Sequence, residues 1–591
     1  MSRLVVSLTP PGRLPTVAHD PGQWWTALTA DDRFQTVRFS ANFEWWRVLC
    51  TQHIAKLIPM SRVRRVWCCA QLKRLRDSGT KAAATLQSLR GTDAYACPQR
   101  YIGIVTDLIT HLDHLNEIQD ELQLGIDAGG RVTGLNYDSS GALVAYSTRD
   151  TFLANSIAAA LGSCPRQIAL LLVSVTCPED LLSALIAVRI LRLWNPGMHA
   201  CLADHGYENF SLAPHLDGLR RAGTIDRVFD SIIASKDERD TAVPALARAV
   251  ACDAAPRGFL QAHDVVSFAA PNGQHVSVPP PVPVFAPEPI FWTRFSSRRC
   301  YWSRCSFCVQ NSKYAETAAT HLSAVPSLVD RLSAVAAAGY RRVILSDEAL
   351  SPAVLNAFSR LAVARGLRLR WACRCKLERN FSARLFATMR EAGCCDVLFG
   401  LESISPRMLR RMNKYVEGLD AQTIARIFAD ADAAGISIHV NLIAGFPGET
   451  PEEAVASVDF LVSALKPLSD STFHLNEFAL FHGTPVAQDP EAFGIQRKDV
   501  DGDLPWAYPY DFAPDYRTNG EAVLRLIPGL RARLSKGLGW DRYGTSRGAE
   551  AAIRLYFLSG HKYWCVFKRR SKRATMPEST ALTEAEYPAC A

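Results

Sequence analysis

The sequence predicts an α/β protein in which a partial (β/α) barrel follows an open α/β domain. The first observation is a regular alternation of helices and apolar strands between Ser312 and Phe478. Its β-then-α units are about 25–45 residues long, the size that parallel strands with right-handed helical crossovers require. The second observation is a shorter strand–helix alternation between residues 150 and 255. Both patterns indicate parallel sheets covered by helices.

The elements of the predicted barrel follow from apolar periodicity and from the residues at their ends. Ser351-Pro352 and Thr450-Pro451 each place a capping residue before a proline at the first helical position. Four helices stop at a glycine. In chain order we predict helix 327–338, strand 342–345, helix 351–366, strand 367–372, helix 382–392, strand 396–400, helix 420–434, strand 436–443, helix 450–465 and strand 472–480.

Polar residues recur where these strands end. They are Asp347, Glu348, Arg374, Glu402, Ser403, Asn441 and Glu477. In a TIM-type (β/α) barrel the C-terminal ends of the strands face the active site. Any one of these residues fits a solvated loop equally well, but their repetition at strand after strand favours a site.

Three cysteines, Cys300, Cys305 and Cys308, stand within nine residues just before this region. Three closely spaced thiolates can hold an iron–sulfur cluster and leave one iron open, whereas an ordinary cluster carrier uses four. A closed zinc site requires a fourth Cys or His at short spacing, and no His lies between Arg294 and Ala319. The spacing therefore favours a cluster over the two alternatives, a zinc site and incidental core cysteines.

The cysteines and four later segments resemble the radical S-adenosylmethionine (SAM) enzymes over roughly residues 290–480. The segments are Ser346-Asp347-Glu348, Gly400-Leu401-Glu402-Ser403, the helix Arg407 to Lys414 and the strand and turn Asn441 to Thr450. The first gap between the cysteines holds four residues, where the usual motif of that family has three. This spacing, with Tyr301-Trp302 in the gap and Phe307 before the third cysteine, is similar to members with an N-terminal cobalamin-binding domain.

The resemblance implies that Cys300, Cys305 and Cys308 ligate three irons of a 4Fe-4S cluster, while the amino and carboxylate groups of SAM chelate the fourth. A reduced cluster would pass one electron to the sulfonium, breaking its C5′–S bond and releasing a 5′-deoxyadenosyl radical. A flavodoxin- or ferredoxin-type electron donor and a small-molecule or peptide substrate are the implied partners. The implied SAM contacts are Phe307, Asp347, Glu348, Glu402, Ser403, Asn441, Gly445 and Glu449.

Residues 131–255 resemble the Rossmann-like cobalamin-binding domain of one branch of that family. The predicted strands are 169–175, 198–203 and 227–233, with a helix from Pro178 between the first two. Doubly wound sheets bind ligands beyond the C-terminal ends of their strands. The resemblance therefore places a corrinoid near Ser174, Thr176, Asp204, His205 and Gly206.

Two features of this domain depart from the cobalamin-binding pattern. His205 is followed by Gly206-Tyr207-Glu208, so the Asp-x-His-x-x-Gly motif of a histidine lower ligand is absent. Ala203-Asp204 replaces the glycine pair often found after the second strand. A domain that keeps only the fold is therefore the alternative to a cobalamin site.

Composition assigns the remaining segments. Residues 1–130 form a mostly helical lead-in, whose Trp24-Trp25 and Trp45-Trp46 pairs fit a core better than a substrate pocket. Residues 256–289 form a proline-rich linker that should run extended. The barrel takes residues 290–495, and residues 496–591 are expected to cap its mouth. The basic run Lys568 to Arg573 carries no interleaved aromatics, which favours a solvated tail over a nucleic-acid contact.

The composition is that of a cytoplasmic enzyme. At 591 residues and 48% hydrophobic content, the chain can bury two or three cores. Its apolar stretches are interrupted well short of the roughly 20 residues of a membrane span, and we identify no targeting peptide. Seventeen cysteines is an odd number, and reduced thiols in a reducing compartment fit it better than disulfides. We expect Cys373 and Cys375 to face the core rather than to bind a second cluster.

The predicted function is cobalamin-dependent radical SAM methyl transfer to an unactivated carbon of a peptide or other natural-product precursor. Radical rearrangement, oxidation or ring contraction without methyl transfer is the alternative among enzymes. A non-catalytic iron–sulfur electron carrier or sensor is the alternative of another class. Asp347-Glu348, Glu402 and the Gly445 to Glu449 turn argue against a carrier, because a carrier needs no SAM pocket.

Overall fold

Two parallel sheets organise the chain. The structure is a computed structural model that describes residues 2–15, 17–19, 23–59, 69–126, 129–175, 178–204, 212, 215–233, 236–260, 278, 281–295, 300–309, 322–544, 546–558 and 566–567. The described strands, β1 to β19 in chain order, are Arg3–Thr9, Val17–His19, Phe34–Ser40, Leu122–Gly125, Gly129–Val132, Ile168–Val175, His199–Asp204, Ser231–Ile233, Gly258–Phe259, Ile290–Thr293, Arg342–Leu345, Arg370–Lys376, Cys394–Glu402, Ser437–Ala444, Ser471–Glu477, Leu480–Phe481, Ile495–Arg497, Ala507–Tyr508 and Tyr510–Phe512.

The helices connect and cover these strands. In chain order, α1 to α18 are Gln23–Thr29, Ala41–Leu49, Cys69–Ser88, Pro98–Ile118, Ser140–Tyr146, Phe152–Ala160, Pro178–Trp194, Leu216–Ala222, Lys236–Ala251, Val325–Ala337, Pro352–Ala364, Ala383–Glu391, Pro406–Arg411, Ala421–Ala433, Pro451–Leu465, Pro485–Gln488, Pro514–Gly537 and Arg547–Leu558. Thr450 and Glu453 form the predicted capping box at the start of α15. Within the described ranges, no helix is long and apolar enough to cross a bilayer.

The second half of the chain forms the predicted partial barrel. Its sheet has the order β15-β14-β13-β12-β11-β10-β2, and all neighbours are parallel. Six strands thus follow one another in sequence order, with a helix after each of β11 to β14, as (β/α) units require. One face of each strand packs on the helices. On β12 this face carries Trp371, Cys373 and Cys375, which lie in the main hydrophobic core. The two cysteines thus face the core, as predicted.

Strand β12 is longer at its C-terminal end than the sequence predicts. The predicted strand stops at Ala372, whereas β12 runs to Lys376. Its neighbour β13 extends alongside it, so Arg374 pairs in register with Leu398 and Lys376 with Gly400. The two charged side chains therefore belong to the barrel strand itself.

The first sheet has the order β3-β1-β6-β7-β8-β9, again all parallel. Strands β1 and β3 come from the mostly helical lead-in, in which the apolar run Leu4 to Leu8 predicts a strand that β1 confirms, so the boundary predicted at residue 130 does not follow this sheet. Helices α2 to α6 separate β3 from β6 along the chain, which hides the relation in the sequence. Strand β8 is shorter than predicted, because Ile225–Arg227 form a 3-10 turn. Strand β9 lies within the predicted linker.

The tryptophan pairs of the N-terminal segment belong to the core, as the sequence favours. Trp24, Trp25, Trp45 and Trp46 are each less than 5% exposed. The indole N–H of Trp45 donates to the hydroxyl of Ser156 at 2.8 Å, which satisfies its one polar atom. All four pack in the hydrophobic cores of the first domain.

Residues 501–506 join the barrel half of the chain to the N-terminal half. The backbone N–H of Leu504 donates to the carbonyl of Asp138 at 2.7 Å. The backbone N–H of Ser140 donates to the Asp503 carboxylate at 2.7 Å, and the indole of Trp506 donates to the carbonyl of Tyr137 at 3.0 Å. Several backbone groups are thus paired across this contact, which fixes one half against the other.

Gly502 makes this contact sterically demanding. A Cβ at this position would lie 2.0 Å from the backbone oxygen of Asp138. We expect Gly502→Ala to destabilise the protein by about 1–3 kcal/mol, since the backbone cannot move aside without breaking its hydrogen bonds. Thermal unfolding measures the effect. Gly529→Ala is the control, because it lies within α17 with nothing within 4 Å of an added Cβ and should be stabilising. Equal midpoints for the two variants would contradict the prediction.

Candidate active site

The residues 300–309, here called the cysteine loop, lie at the C-terminal ends of the barrel strands. Cys300 forms a parallel bridge with Ala349, just beyond β11. Cys300, Cys305 and Cys308 are all half-buried. The loop therefore brings three thiols to the end of the sheet where the sequence predicts a site.

Backbone hydrogen bonds hold the loop in place between its second and third cysteines. The backbone N–H of Ser306 donates to the carbonyl of Met412 at 3.0 Å, and its hydroxyl donates to the carbonyl of Arg411 at 3.1 Å. The carbonyl of Ser306 accepts from the backbone N–H of Val486 at 3.1 Å. The end of α13 and the start of α16 thus position Cys305 and Cys308.

The unusual four-residue gap between the first two cysteines has its own contacts. The Tyr301 hydroxyl donates to the carboxylate of Glu378. The indole of Trp302 donates to the carbonyl of Asn413 at 2.9 Å. Ser303, with φ of 45°, directs its N–H at the Cys300 sulfur over 3.4 Å. The extra residue of the gap therefore takes part in an ordered turn that places an N–H donor on Cys300.

Burial makes a free thiolate unfavourable in the loop. It raises the pKa of Cys305 to about 11, although the Lys414 ammonium opposes the shift. Burial also raises the pKa of Cys300, opposed by the Ser303 N–H. Metal binding replaces the thiol proton with a cation, so iron would remove this penalty. The three thiols, the N–H donor and the nearby ammonium groups fit an anionic iron–sulfur cluster.

A buried ion pair lies beside the loop. The Lys414 Nζ is 2.6 Å from Glu402 Oε1, and the side chains are 10% and 8% exposed. The same Nζ lies 5.9 Å from the ring centre of Phe307. Burial alone would lower the pKa of Lys414, but the Glu402 carboxylate outweighs it and the pKa is raised. Gly400 leaves room for the pair, since a Cβ there would meet both charged groups.

A second buried lysine was missed in the sequence. Lys376 is 3% exposed, and its Nζ has no hydrogen-bond partner among the residues that the structure describes. It lies 4.0 Å from the ring centre of Trp302 in the cysteine loop. Burial lowers its pKa to about 8. Lys376 lies two residues after Arg374 at the end of an apolar strand. Residues two apart on a strand share a face, so this spacing could have placed both side chains on the inner face of the barrel.

The acidic residues after β11 have separate surroundings. Asp347 is fully buried, and its carboxylate accepts from the backbone N–H of Phe295 at 2.9 Å, which anchors the chain ahead of the cysteine loop. Glu348 is half-buried and pairs with Arg374 at 2.9 Å. Of the two residues predicted to meet the SAM amino group, Glu348 is the more accessible. Its partner Arg374 is one of the predicted strand-end residues.

The predicted SAM contacts on later strands divide into inner and outer groups. Asn441 lies on the inner face of β14, where its amide oxygen is 3.0 Å from His439 Nε2. Ser403 is fully buried and lies 3.2 Å from the hydroxyl of Ser457 on α15, away from the inner face. Gly445 donates its N–H to Glu449 at 2.7 Å. This hydrogen bond closes the glycine turn. Burial raises the pKa of the Glu449 carboxyl to about 8.

The structure describes the predicted corrinoid site in part. Ser174 is half-buried near the end of β6, and Asp204 ends β7. These strands are neighbours, with Val175 opposite Asp204. Thr176, His205 and Gly206 lie outside the described residues, as does the basic run Lys568 to Arg573.

In the described part of the chain, no three His, Cys, Asp or Glu side chains are placed to hold one metal ion. A zinc ion needs its sulfur ligands at about 2.3 Å, whereas a cluster spreads its ligands over several irons.

The site thus consists of a partial (β/α) barrel with a three-cysteine loop at its strand ends. Residues 296–461 match the profile of the Radical SAM superfamily. The chain therefore contains a radical SAM domain, which implies a 4Fe-4S cluster and SAM as cofactors. Both cofactors agree with the sequence prediction.

Curated relatives match only a part of the chain. An uncharacterized methyltransferase of Pyrococcus horikoshii is 34% identical over 98 residues, or 16% of this chain and 20% of that protein. The heme chaperone HemW of Mycobacterium tuberculosis is 34% identical over 106 residues, or 17% of this chain and 25% of HemW. The chain thus spans about a fifth to a quarter of the length of these relatives.

Solved structures match over a longer range at low identity. TsrM from Kitasatospora setae, a radical SAM methyltransferase with tryptophan and a SAM analogue bound, is 15% identical with a TM-score of 0.47, over 91% of this chain and 89% of that chain. OxsB, a cobalamin-dependent SAM radical enzyme, is 10% identical with a TM-score of 0.46, over 96% and 76%.

Proposed function

We propose that this chain cleaves SAM reductively at the barrel mouth to start a radical reaction. The observation that carries the proposal is the cysteine loop, whose three half-buried cysteines lie at the strand ends of a radical SAM domain. A cluster bound there would supply the electron that breaks the C5′–S bond of SAM. Cys300, Cys305 and Cys308 would hold that cluster.

The charged residues around the loop would position and neutralise the cofactors. Lys376 and Lys414 place two buried ammonium groups beside the loop, where they offset the negative charge of ligated thiolates. Glu348, turned toward Arg374 at the mouth, would accept the SAM amino group. Asn441 on the inner face of β14 would lie near the nucleoside.

We further propose that the reaction is cobalamin-dependent methyl transfer to a carbon of a peptide or other natural-product precursor. Support comes from the order of the first sheet. Strand β1 has β3 on one side and β6 on the other. The chain therefore builds the sheet outward in opposite directions from β1, and the strand order reverses at this strand. Ligands of open α/β sheets bind at such a switch point, beyond the C-terminal strand ends. Ser174 lies near the end of β6 at this edge. The similarity to a curated methyltransferase also favours methyl transfer.

Corrinoid binding is tested by anaerobic purification of the full chain with cobalamin supplied. We expect about four irons, as in one 4Fe-4S cluster, and about one corrinoid per chain. Ser174→Trp should lower the corrinoid content and leave iron unchanged, because the indole would fill the switch point. Ser163→Trp is the control, since this exposed residue precedes β6 at its opposite end.

The outcomes separate the alternatives. Iron without corrinoid would contradict methyl transfer by cobalamin and favour a radical rearrangement or oxidation. An electron carrier would bind no SAM, so titration of the reconstituted protein with SAM tests the enzyme class itself. A carrier is disfavoured by the accessible Glu348 and by the inner-face residues of the barrel.

A further inference from the structure

Lys376 is a buried cation whose ammonium group accounts for none of the hydrogen bonds of the fold. It ends β12, it is 3% exposed, and its Nζ has no hydrogen-bond partner among the residues that the structure describes. A buried charge without a partner costs free energy of folding. Lys376 therefore lowers the stability of the chain unless an anionic group lies beside it.

The aromatic ring of Trp302 is the contact that the fold gives to this ammonium group. The Lys376 Nζ lies 4.0 Å from the ring centre, close enough for a cation–π interaction. The indole N–H is fixed in turn by its hydrogen bond to the carbonyl of Asn413 at 2.9 Å. Trp302 stands between Cys300 and Cys305 in the chain. The cysteine loop itself thus carries the ring that holds Lys376 beside it.

The neighbouring carboxylates offset the charge of Lys376 less than that of the second buried lysine, Lys414. The Nζ of Lys414 lies 2.6 Å from Glu402, with both side chains at most 10% exposed. Lys376 is attracted by Glu378. However, the Glu378 carboxylate accepts from the Tyr301 hydroxyl and lines the open groove between α11 and α12, where water screens its charge. Of the two lysines, Lys376 therefore keeps the larger uncompensated charge.

We propose that Lys376 sets the reduction potential of a 4Fe-4S cluster bound by Cys300, Cys305 and Cys308. The inference rests on the proposed function, because it requires a cluster at the loop. Reduction takes one electron from a low-potential one-electron donor, makes the cluster more negative by one charge, and forms or breaks no bond. A buried cation favours the more negative form, and charge is one of the factors that set cluster potentials. Lys376 thus makes the cluster easier to reduce.

A redox titration of the reconstituted full chain at neutral pH, followed by the EPR signal of the reduced cluster, measures the potential. Lys376→Met replaces the ammonium group with an uncharged, flexible side chain. We expect at least a tenfold lower ratio of reduced to oxidised cluster at a fixed applied potential, which is a shift of about 59 mV to more negative values for one electron. Lys376→Arg keeps the charge and should restore most of the native potential.

Arg304→Met is the matched control, because it removes a positive charge that lies near the same ring but is exposed. Arg304 lies 5.6 Å from the ring centre of Trp302. Water and salt screen an exposed charge much more than a buried one, so the potential should shift less than half as far as in Lys376→Met. A native potential in Lys376→Met, or equal shifts in the two variants, would overturn the proposal.

Thermal unfolding of the cluster-free protein gives a second readout. Replacing a lysine that serves packing should destabilise the fold, whereas replacing one that serves through its charge should not, since the unpaired buried charge is removed with it. We therefore expect cluster-free Lys376→Met to unfold at the native temperature or above it. A clear decrease would overturn the proposal in favour of a structural lysine. Absence of iron from the reconstituted native protein would instead contradict the proposed function, so the two failures are distinguishable.

Discussion

Cys305→Ser is expected to abolish SAM cleavage by the reconstituted protein. Cys305 is held by the hydrogen bonds of Ser306 to the end of α13, so its sulfur cannot be replaced by another cysteine without moving that contact. A serine hydroxyl at the same place remains protonated at neutral pH and is a poor ligand for iron. Iron and sulfide content should fall with the loss of cleavage, and 5′-deoxyadenosine formation measures the activity.

Cys300→Ser and Cys308→Ser should behave in the same way, because all three thiols are needed for a cluster with one open iron. Cys252→Ser is the control, since this exposed cysteine follows α9 in the first domain. It should keep native iron content and cleavage. Retained cleavage in any of the three loop variants would remove that cysteine from the ligand set.

The barrel was largely predictable because its signals are local. Helix ends at glycine and the capping box at Thr450 are written within a few residues, and β11 lies at its predicted bounds. The first sheet was predicted less completely. Strands β1 and β6 pair in register, yet about 160 residues of intervening chain separate them. No local pattern reports such a pairing.

The sequence indicates the cysteines and strand-end residues of the candidate site, but it does not indicate all of its buried charges. The cysteine spacing identifies the three thiols, and the strand ends identify Glu348 and Arg374. Ser403 shares a motif with Glu402 but lies against Ser457 of α15, because β13 ends at Glu402, where a φ of 64° turns the chain. Lys376 was missed because a charged residue after an apolar run was taken as the end of the strand. Its role depends on burial, which the sequence does not display.

Glu402→Ala should destabilise the barrel by about 3–5 kcal/mol, because it leaves the buried Lys414 ammonium without its counter-charge. At 10% exposure, Lys414 has little access to water that could replace the carboxylate. Chemical denaturation of the cluster-free protein, followed by tryptophan fluorescence, measures the change. Cluster-free protein is used so that loss of iron does not contribute to the result.

The double variant Glu402→Gln/Lys414→Met separates the lost charge pair from lost packing. Replacing both partners of a buried pair with neutral groups of similar size is often nearly neutral, so this variant should recover most of the stability. If Glu402→Ala were as stable as the double variant, the pair would contribute nothing to folding.

The same variants test cofactor binding. The sequence predicts weaker SAM binding when Glu402 is lost, and the structure adds that Lys414 would change with it. A deficit in SAM affinity that Glu402→Gln shares with Glu402→Ala would assign the contact to the carboxylate charge, whereas a deficit in Glu402→Ala alone would assign it to the fold of the strand end.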